Sequence, residues 1–481
     1  MINEKMLLKQ QKKQKLILEN KNLGLSILWL AIPIFLSNFM KSFNDLVDLY
    51  FITNLTSPEN VEAATTALNL PNPVITITYA VAGGFMTAGA AIIAQYLGAK
   101  QKESANKIAG QLLALCIIAG FFMGILLYIL TPTIMRLMGA EGLALEYMID
   151  YIRIRSFEMI PLFAFFAFQA SRTSSGDTLT PFLLNIIMIV ANIALTYVAM
   201  KYFNLGIKGA AIGTVLGNLI IMPIFIFLMF KGSERHVRIG RKDVKIDTLE
   251  IKRIFNMSWP VSFSQALTSL GFIILNSLIL SYGPATVNAF GTGNRLNSLV
   301  LLPAMGIGSI TATFVGQNIG AGNIDRAKKS VKAAMKLSVL MAIIGAIIIM
   351  PIREDLIKLF LKEDVQADAL YLSVDYMFFL LTGLPLMSIF QVYMGTYQGS
   401  GETKFSLILS LLRLWALRIP LVLLFKNVFG LPPSSLWYAM TISNFGAAYI
   451  GVILYSKCNF ESKVKPLKHD DEHNDIEPCP A

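Results

Sequence analysis

Cysteine and histidine are scarce in this sequence, at three residues each. Cys116, Cys458 and Cys479 supply no framework for disulfides, and Cys116 lies in an apolar run where packing is its expected role. Charge is scarce too: 15% of the residues are Asp, Glu, Lys or Arg, against roughly 25% in a soluble domain. No P-loop, dinucleotide fingerprint, zinc-ligand spacing or triad signature occurs. That excludes an ATP-driven pump contained in this chain alone, and neither an enzyme nor a cofactor is expected. The run His469-Asp470-Asp471-Glu472-His473 reads as a solvated tail rather than a metal site. A cleaved signal peptide is not expected either. The first apolar run starts too late, is too long, and carries Lys41, Asp45 and Asp48, so it is a retained span.

What is abundant is apolar length. Hydrophobic residues make up 55% of the chain, and a bilayer core needs about 20 apolar residues per helical crossing. Twelve such stretches fall at approximately 25–51, 62–92, 105–131, 143–170, 179–201, 206–230, 254–281, 285–315, 330–351, 369–397, 404–426 and 433–456. The expected fold class is therefore an all-α integral membrane protein with twelve transmembrane helices.

The net charge of +11 could point to nucleic acid, but its distribution points to a membrane. About 28 of the 41 Lys and Arg fall on one side of the twelve-span topology. They lie in the arm from Lys5 to Lys21, the loop at 98–107, the central loop at 231–253, the segment from Arg326 to Lys336, and the tail. The opposite loops hold few, or mix Arg353, Lys358 and Lys362 with acids. This positive-inside pattern puts both termini in the cytoplasm of a plasma-membrane protein. The basic clusters are expected to touch anionic lipid, with no nucleic-acid partner.

The second half rewrites the first. Gln95-Tyr96-Leu97-Gly98-Ala99 returns as Gln317-Asn318-Ile319-Gly320-Ala321, 222 positions on (317 − 95). Gly176-Asp177-Thr178 returns as Gly401-Glu402-Thr403, 225 on (401 − 176), and Leu30-Ala31-Ile32-Pro33 as Met257-Ser258-Trp259-Pro260, 227 on (257 − 30). Six spans per half give both copies one orientation, related by an axis along the membrane normal, and such lobes enclose a central cavity. The expected organisation is a basic cytoplasmic arm at 1–22, a six-helix lobe at 23–230, a flexible cytoplasmic linker at 231–253, a second lobe at 254–456 and a polar cytoplasmic tail at 457–481. Small residues at Gly209, Gly213 and Gly217 form a ridge expected to pack on a neighbouring helix.

Charged residues at bilayer depth are costly and usually mark a pathway. Lys41, Asp45 and Asp48 share one face of the first span. Lys41 with Asp45 reads as a structural ion pair. Two readings of Asp48 stand: a carboxylate that binds a proton or sodium ion, or a helix-end residue facing external water. Asn185, Asn192 and Thr196 in the fifth span and Thr214 and Asn218 in the sixth add neutral oxygens, which suit a small hard cation or a relayed proton or simply bind helices together. Asp150 and Asp375 read as acids at outer helix starts. Arg153, Arg155, Arg295, Arg413 and Arg418 either line a vestibule or reach to head groups. Pro33 is the candidate hinge; Pro161, Pro260 and Pro385 read as fixed bends.

Over residues 24–456 these features resemble the multidrug and toxic compound extrusion (MATE) transporters. The resemblance rests on Pro33 followed by Asp45-Leu46-Val47-Asp48, on the Gln95-to-Ala99 run, on Ser175-Gly176-Asp177-Thr178-Leu179-Thr180-Pro181, on Leu205-Gly206-Ile207-Lys208-Gly209-Ala210-Ala211, and on the second-half copies Gly316-Gln317-Asn318-Ile319-Gly320-Ala321 and Gly399-Ser400-Gly401-Glu402-Thr403-Lys404. It implies a monomeric antiporter that exports organic cations, drugs or other amphipathic toxicants in exchange for protons or sodium ions. Pro33 and Asp48 match the spacing of the DinF-like branch, and Asn192 and Thr214 match its site in the fifth and sixth spans. Thr196 stands where that branch carries a second aspartate, so the resemblance implies a single carboxylate and leans to protons. Asp48, Asn192, Thr196, Thr214 and Asp45 are the expected ion- or substrate-binding set. Another branch's acids fall on Thr268 and near Met387 here, so chemistry is expected in the first half. A lipid-linked oligosaccharide flippase and a non-transporting membrane scaffold are the rival readings.

Overall fold

The computed structural model describes residues 17–231, 237–360 and 367–462. Most of the N-terminal arm, Gly232 to Arg235 of the linker, Lys362, the acidic histidine-containing tail and Cys479 lie outside the described residues, as does the Arg295 side chain.

Among the described residues, eleven helices are long and apolar enough to cross a membrane, and a further crossing is interrupted. In the first half, α1 spans Leu23–Leu55, and α2 (Val61–Asn69) runs into α3 (Asn72–Gly98). There follow α4 (Lys102–Leu137), α5 (Gly142–Arg155), a 3₁₀ turn at Ser156–Glu158, α6 (Met159–Ser174), α7 (Leu179–Lys201) and α8 (Gly206–Lys231). The interruption between α5 and α6 makes the fourth crossing a broken one. Pro161 explains it: proline lacks the N–H its turn would donate and crowds the carbonyl four residues back, and a 3₁₀ turn absorbs the misfit. The α1 helix, by contrast, continues unbroken through Pro33.

The second half repeats the order with α9 (Thr248–Leu280), α10 (Pro284–Gly320), α11 (Ile324–Phe360), α12 (Ala367–Gly399), an eleventh crossing, and α15 (Ser435–Ser456). That eleventh crossing is composite. It comprises α13 (Thr403–Leu411), a π-wound stretch at Leu412–Arg418, α14 (Ile419–Leu423) and a second π-wound stretch at Leu424–Val428. The repeated Gly-acid-Thr motif has a backbone reason. Gly176 and Gly401 adopt φ values of 78° and 81°, a left-handed conformation that glycine reaches without a Cβ clash, and each turns the chain into the next helix.

The halves meet where α3 packs on α9 and α1 packs on α10. At the end bearing the basic loops they touch backbone to backbone. A Cβ at Gly98 would lie 2.0 Å from the Gln317 carbonyl oxygen, and one at Gly320 would lie 1.9 Å from that of Gln95. The repeat first visible as sequence is thus a reciprocal contact in three dimensions.

The connector between halves departs from the expected loose linker. The described part, from Val237 onward, is docked on the first half. Val237 and Ile239 are buried in its core. Gln111 of α4 donates Nε2 to the carbonyls of Asp243 and Lys245, at 2.7 and 2.6 Å, and accepts from the amide of Asp247 at 2.8 Å. Asp247 then caps α9, which begins at Thr248, inside the stretch expected to be linker.

Candidate functional site

In the first half, α1 carries Lys41, Asp45 and Asp48 along one face and packs against α7. Asp48 is 8% exposed, and its Oδ2 accepts from Asn44 Nδ2 at 3.2 Å. Asn44 lies four residues earlier, one helical turn, and was not expected from sequence. Across the α7–α8 contact, Asn192 Nδ2 donates to Thr214 Oγ1 at 3.0 Å, while Thr214 Oγ1 donates to the Ala210 carbonyl and Asn218 Nδ2 to the Thr214 carbonyl. Asn192 and Thr214 are therefore brought together, and Asn44 with Asp48, but no hydrogen bond joins the two pairs among the described residues.

Thr196 sits one turn from Asn192 and is fully buried. A Cβ at Gly213 would come 2.1 Å from its Oγ1, and one at Gly217 would come 3.2 Å from the Asn192 Cβ. The glycine ridge of α8 is what lets the helix bearing Asn192 and Thr196 approach this closely. Four side-chain oxygens in this region, Asp48 Oδ1, Asn44 Oδ1, Asn192 Oδ1 and Thr196 Oγ1, are buried without a hydrogen-bond donor. Buried polar atoms are satisfied in the great majority of cases, so these four oxygens on α1 and α7 stand out.

Lys41 and Asp45 do not form the expected ion pair. The Lys41 ammonium lies over the Tyr79 ring, 3.7 Å from its centroid, and both residues are exposed. Lysine four residues before an acid is the weaker orientation for a helical pair, and an aromatic face offers the ammonium an alternative partner. Tyr79 also lines the central cavity, so Lys41 stands at its wall.

The shortest ion pair among the described residues of this half was not expected from sequence. Arg155 Nη2 meets Glu158 Oε1 at 2.6 Å, Arg155 Nε reaches the same oxygen at 3.1 Å, and Arg155 Nη1 donates to Tyr151 Oη at 3.1 Å. Glu158 is 0% exposed and its Oε2 finds no donor. The pair sits on the 3₁₀ interruption. The spacing Arg-x-x-Glu just before Pro161 was the available signal. Arg153 instead stacks on Tyr128 at 4.9 Å. Asp150 lies well inside α5 rather than at a helix start, bridged to Lys208 at 2.9 Å, and Asp375 likewise lies inside α12.

Buried charge is not confined to the first half. Arg413 and Arg418 on the first π-wound stretch are 6% and 5% exposed, which settles them as interior rather than reaching to head groups. Arg418 donates to Ser443 Oγ at 2.9 Å and Asn444 Oδ1 at 2.6 Å. Arg413 donates to Met387 Sδ at 3.1 Å and lies over Phe390 at 4.4 Å, with its Nε unpartnered.

Between the halves lies a cavity of about 860 Å³. Its wall mixes Met86, Phe166, Met305 and Phe390 with amide side chains such as Gln169 and Gln265. Apolar walls with a few fixed polar groups are the usual make-up of a site for a drug-sized molecule.

Comparison with known proteins agrees with this architecture. The MatE family model matches residues 33–198 and 260–424, once per half. The chain is similar to the probable multidrug resistance protein YoeA of Bacillus subtilis, at 25% identity over 84% of this chain and 88% of that one. In fold it is similar to a MOP superfamily transporter from Pyrococcus furiosus, with a TM-score of 0.86 at 23% identity over 93% of this chain and 97% of the other. It is also similar to an outward-facing multidrug resistance MATE transporter, with a TM-score of 0.85 at 23% identity over the same shares.

Proposed function

Because the chain belongs to the MatE family, we propose that it is a secondary transporter, not an enzyme, that exports amphipathic organic molecules across the plasma membrane against an inward flow of protons. The observation that carries this reading is the set of donorless buried oxygens on Asp48, Asn44, Asn192 and Thr196 of the first half; a cavity between the halves is large enough for one organic molecule. Each of these oxygens gains when a proton or cation arrives. Thr196 in place of a second acid leaves Asp48 as the single carboxylate of that group, which favours a proton over a dehydrated sodium ion. The spacing from Pro33 to Asp48 is the support for a DinF-like assignment, with Pro33 as the hinge. The relative YoeA is named for multidrug resistance, which supports drugs as cargo. The basic loops favour cytoplasmic termini, and one chain carries both lobes, as a monomer requires.

Rocking of the two lobes would expose the cavity to each side in turn. Occupancy of Asp48 by a proton removes its charge, and the α1–α7–α8 contact then repacks at lower cost. The test is efflux of a fluorescent organic cation from proteoliposomes. The wild type is expected to run on a pH gradient without sodium, and Asp48→Asn is expected to stop coupled efflux while remaining inserted. Efflux by the wild type under a sodium gradient at equal pH, but not under a pH gradient, would replace protons with sodium. Full-rate efflux by Asp48→Asn would remove Asp48 from the mechanism. The flippase reading is favoured by one observation only, the buried arginines of the eleventh crossing; absence of efflux for every soluble probe would promote it.

A further inference from the structure

Arg413 and Arg418 are buried in the second half, whereas the buried Glu158 of the first half is paired with Arg155. Arg413 and Arg418 share a side cavity of about 220 Å³, walled by Phe272, Phe290, Tyr376 and Trp437. Arg413 lines both this side cavity and the central one, as do Phe390 and Gln391. The side cavity is therefore a branch of the central one, with a guanidinium at its mouth and another further in.

Neither guanidinium has an acid to pair with. No Asp or Glu lines either cavity, and no ion pair involves Arg413 or Arg418 among the described residues. Their partners are a hydroxyl, an amide oxygen, main-chain carbonyl and a thioether. Two like charges held in a low-dielectric interior by neutral acceptors are costly unless an anion joins them.

The backbone makes the pairing deliberate. In an ordinary α-helix, residues five apart point about 140° away from each other, at 3.6 residues per turn. The π winding of Leu412–Arg418 closes hydrogen bonds from residue i to i+5, so residues five apart stack on one side. Arg413 and Arg418 are five apart, and the local winding is what turns both into the same cavity.

We propose that this branch is an anion subsite, and that the cargo includes aromatic or otherwise amphipathic molecules bearing a carboxylate or similar planar acid. The acid docks on Arg413 and Arg418, and the apolar body lies against the aromatic wall. A guanidinium fork matches a carboxylate in two-point geometry, and a volume of about 220 Å³ accepts a ring with its acid group. The proposal rests on the central cavity being the cargo site.

The test is equilibrium binding to the purified wild-type protein without any ion gradient, by isothermal titration calorimetry. The probes are 1-naphthoate, its neutral amide 1-naphthamide, and 1-naphthylmethylamine. We expect naphthoate to bind at least tenfold more tightly than the amide, and the amine to bind most weakly. Arg413→Met and Arg418→Met should each abolish the preference for acid over amide, and Arg413→Lys should keep part of it. Equal binding of acid and amide to the wild type overturns the proposal without any variant having to fold. Retention of the full preference in both methionine variants overturns it as well. Because no gradient or transport enters the measurement, its outcome is separate from that of the efflux experiment.

Discussion

Gln95 and Gln317 make the same bond in opposite directions across the molecule. Gln95 Nε2 donates to the Gly399 carbonyl of the second half at 3.1 Å, and Gln317 Nε2 donates to the Ser174 carbonyl of the first half at 2.6 Å. Both side chains are buried, at 1% and 0% exposure. The acceptors, like the donors, are repeat-related: 399 − 174 is 225. With Gly98 and Gly320 interlocked one turn away, these bonds form a symmetric clasp that closes the cavity at the basic end.

Adding a methyl group at the clasp should open it. Gly98→Ala and Gly320→Ala each place a Cβ against a main-chain carbonyl, which cannot swing aside as a side chain could. Spin labels on the basic loops at Lys100 and Gly322 should report longer distances in either variant, with transport at least tenfold slower. Unchanged distances would mean that the clasp does not hold the halves together.

The glycine ridge predicts a stability effect. Gly213→Ala must displace Thr196, whose hydroxyl and backbone both lie within 3 Å of the new Cβ. Overpacking of this kind costs about 1–3 kcal/mol. The detergent-solubilised protein should melt at a lower temperature, and more so than Gly24→Ala, where the new Cβ meets only Asn22 Oδ1 at 3.9 Å.

Breaking the Arg155–Glu158 pair should be worse than removing it. Glu158→Gln strips the charge from a pair whose acid is fully buried, leaving the guanidinium uncompensated at a cost of about 3–5 kcal/mol. The double variant Arg155→Met with Glu158→Gln should recover part of that loss in a thermal-melt assay. Equal destabilisation in single and double variants would show that the pair is not coupled.

The docked connector should be sensitive to acid. The Lys107 ammonium, 2.8 Å from Asp247 Oδ2, and then the capped amides of Leu249 and Glu250 hold the Asp247 carboxyl below the usual carboxylate range. A depressed value means that the contribution is complete above the ordinary carboxylate pKa of about 4 and is lost as pH falls through the lower folded value. Hydrogen exchange at residues 237–247, compared at neutral and strongly acidic pH, should show loss of protection, and Asp247→Asn should flatten that dependence.

The architecture was readable because a bilayer imposes length and loop charge so strictly. Twelve apolar runs and the duplicated Gln-x-x-Gly motif needed no coordinates to be seen. Asn192 and Thr214 were readable through the family resemblance, whereas four-residue spacing alone joined Asn192 to Thr196 and Thr214 to Asn218, and the bond between the two helices was not visible in it. Glu158 was hidden because the stretch at 143–170 reads as one continuous span, while the 3₁₀ interruption that holds Glu158 beside Arg155 falls inside it. That Arg413 and Arg418 share one cavity was hidden for a stricter reason. Helical periodicity sends residues five apart to different sides, and nothing in the local composition announces π winding. Lys41 misled because spacing shows which residues can meet, not that a nearby tyrosine ring offers the ammonium another seat.

The π-wound stretch at 412–418 also makes chain length a variable in its own right. Deleting one residue there would let the backbone relax to ordinary α winding and carry Arg413 or Arg418 round the helix toward lipid, with every remaining side chain chemically unaltered. A substitution scan would judge the neighbours of these arginines tolerant, whereas a scan of single deletions should find this segment among the least forgiving in the second half. The polarity of the second half's interior is thus set by a count of residues as much as by their kind.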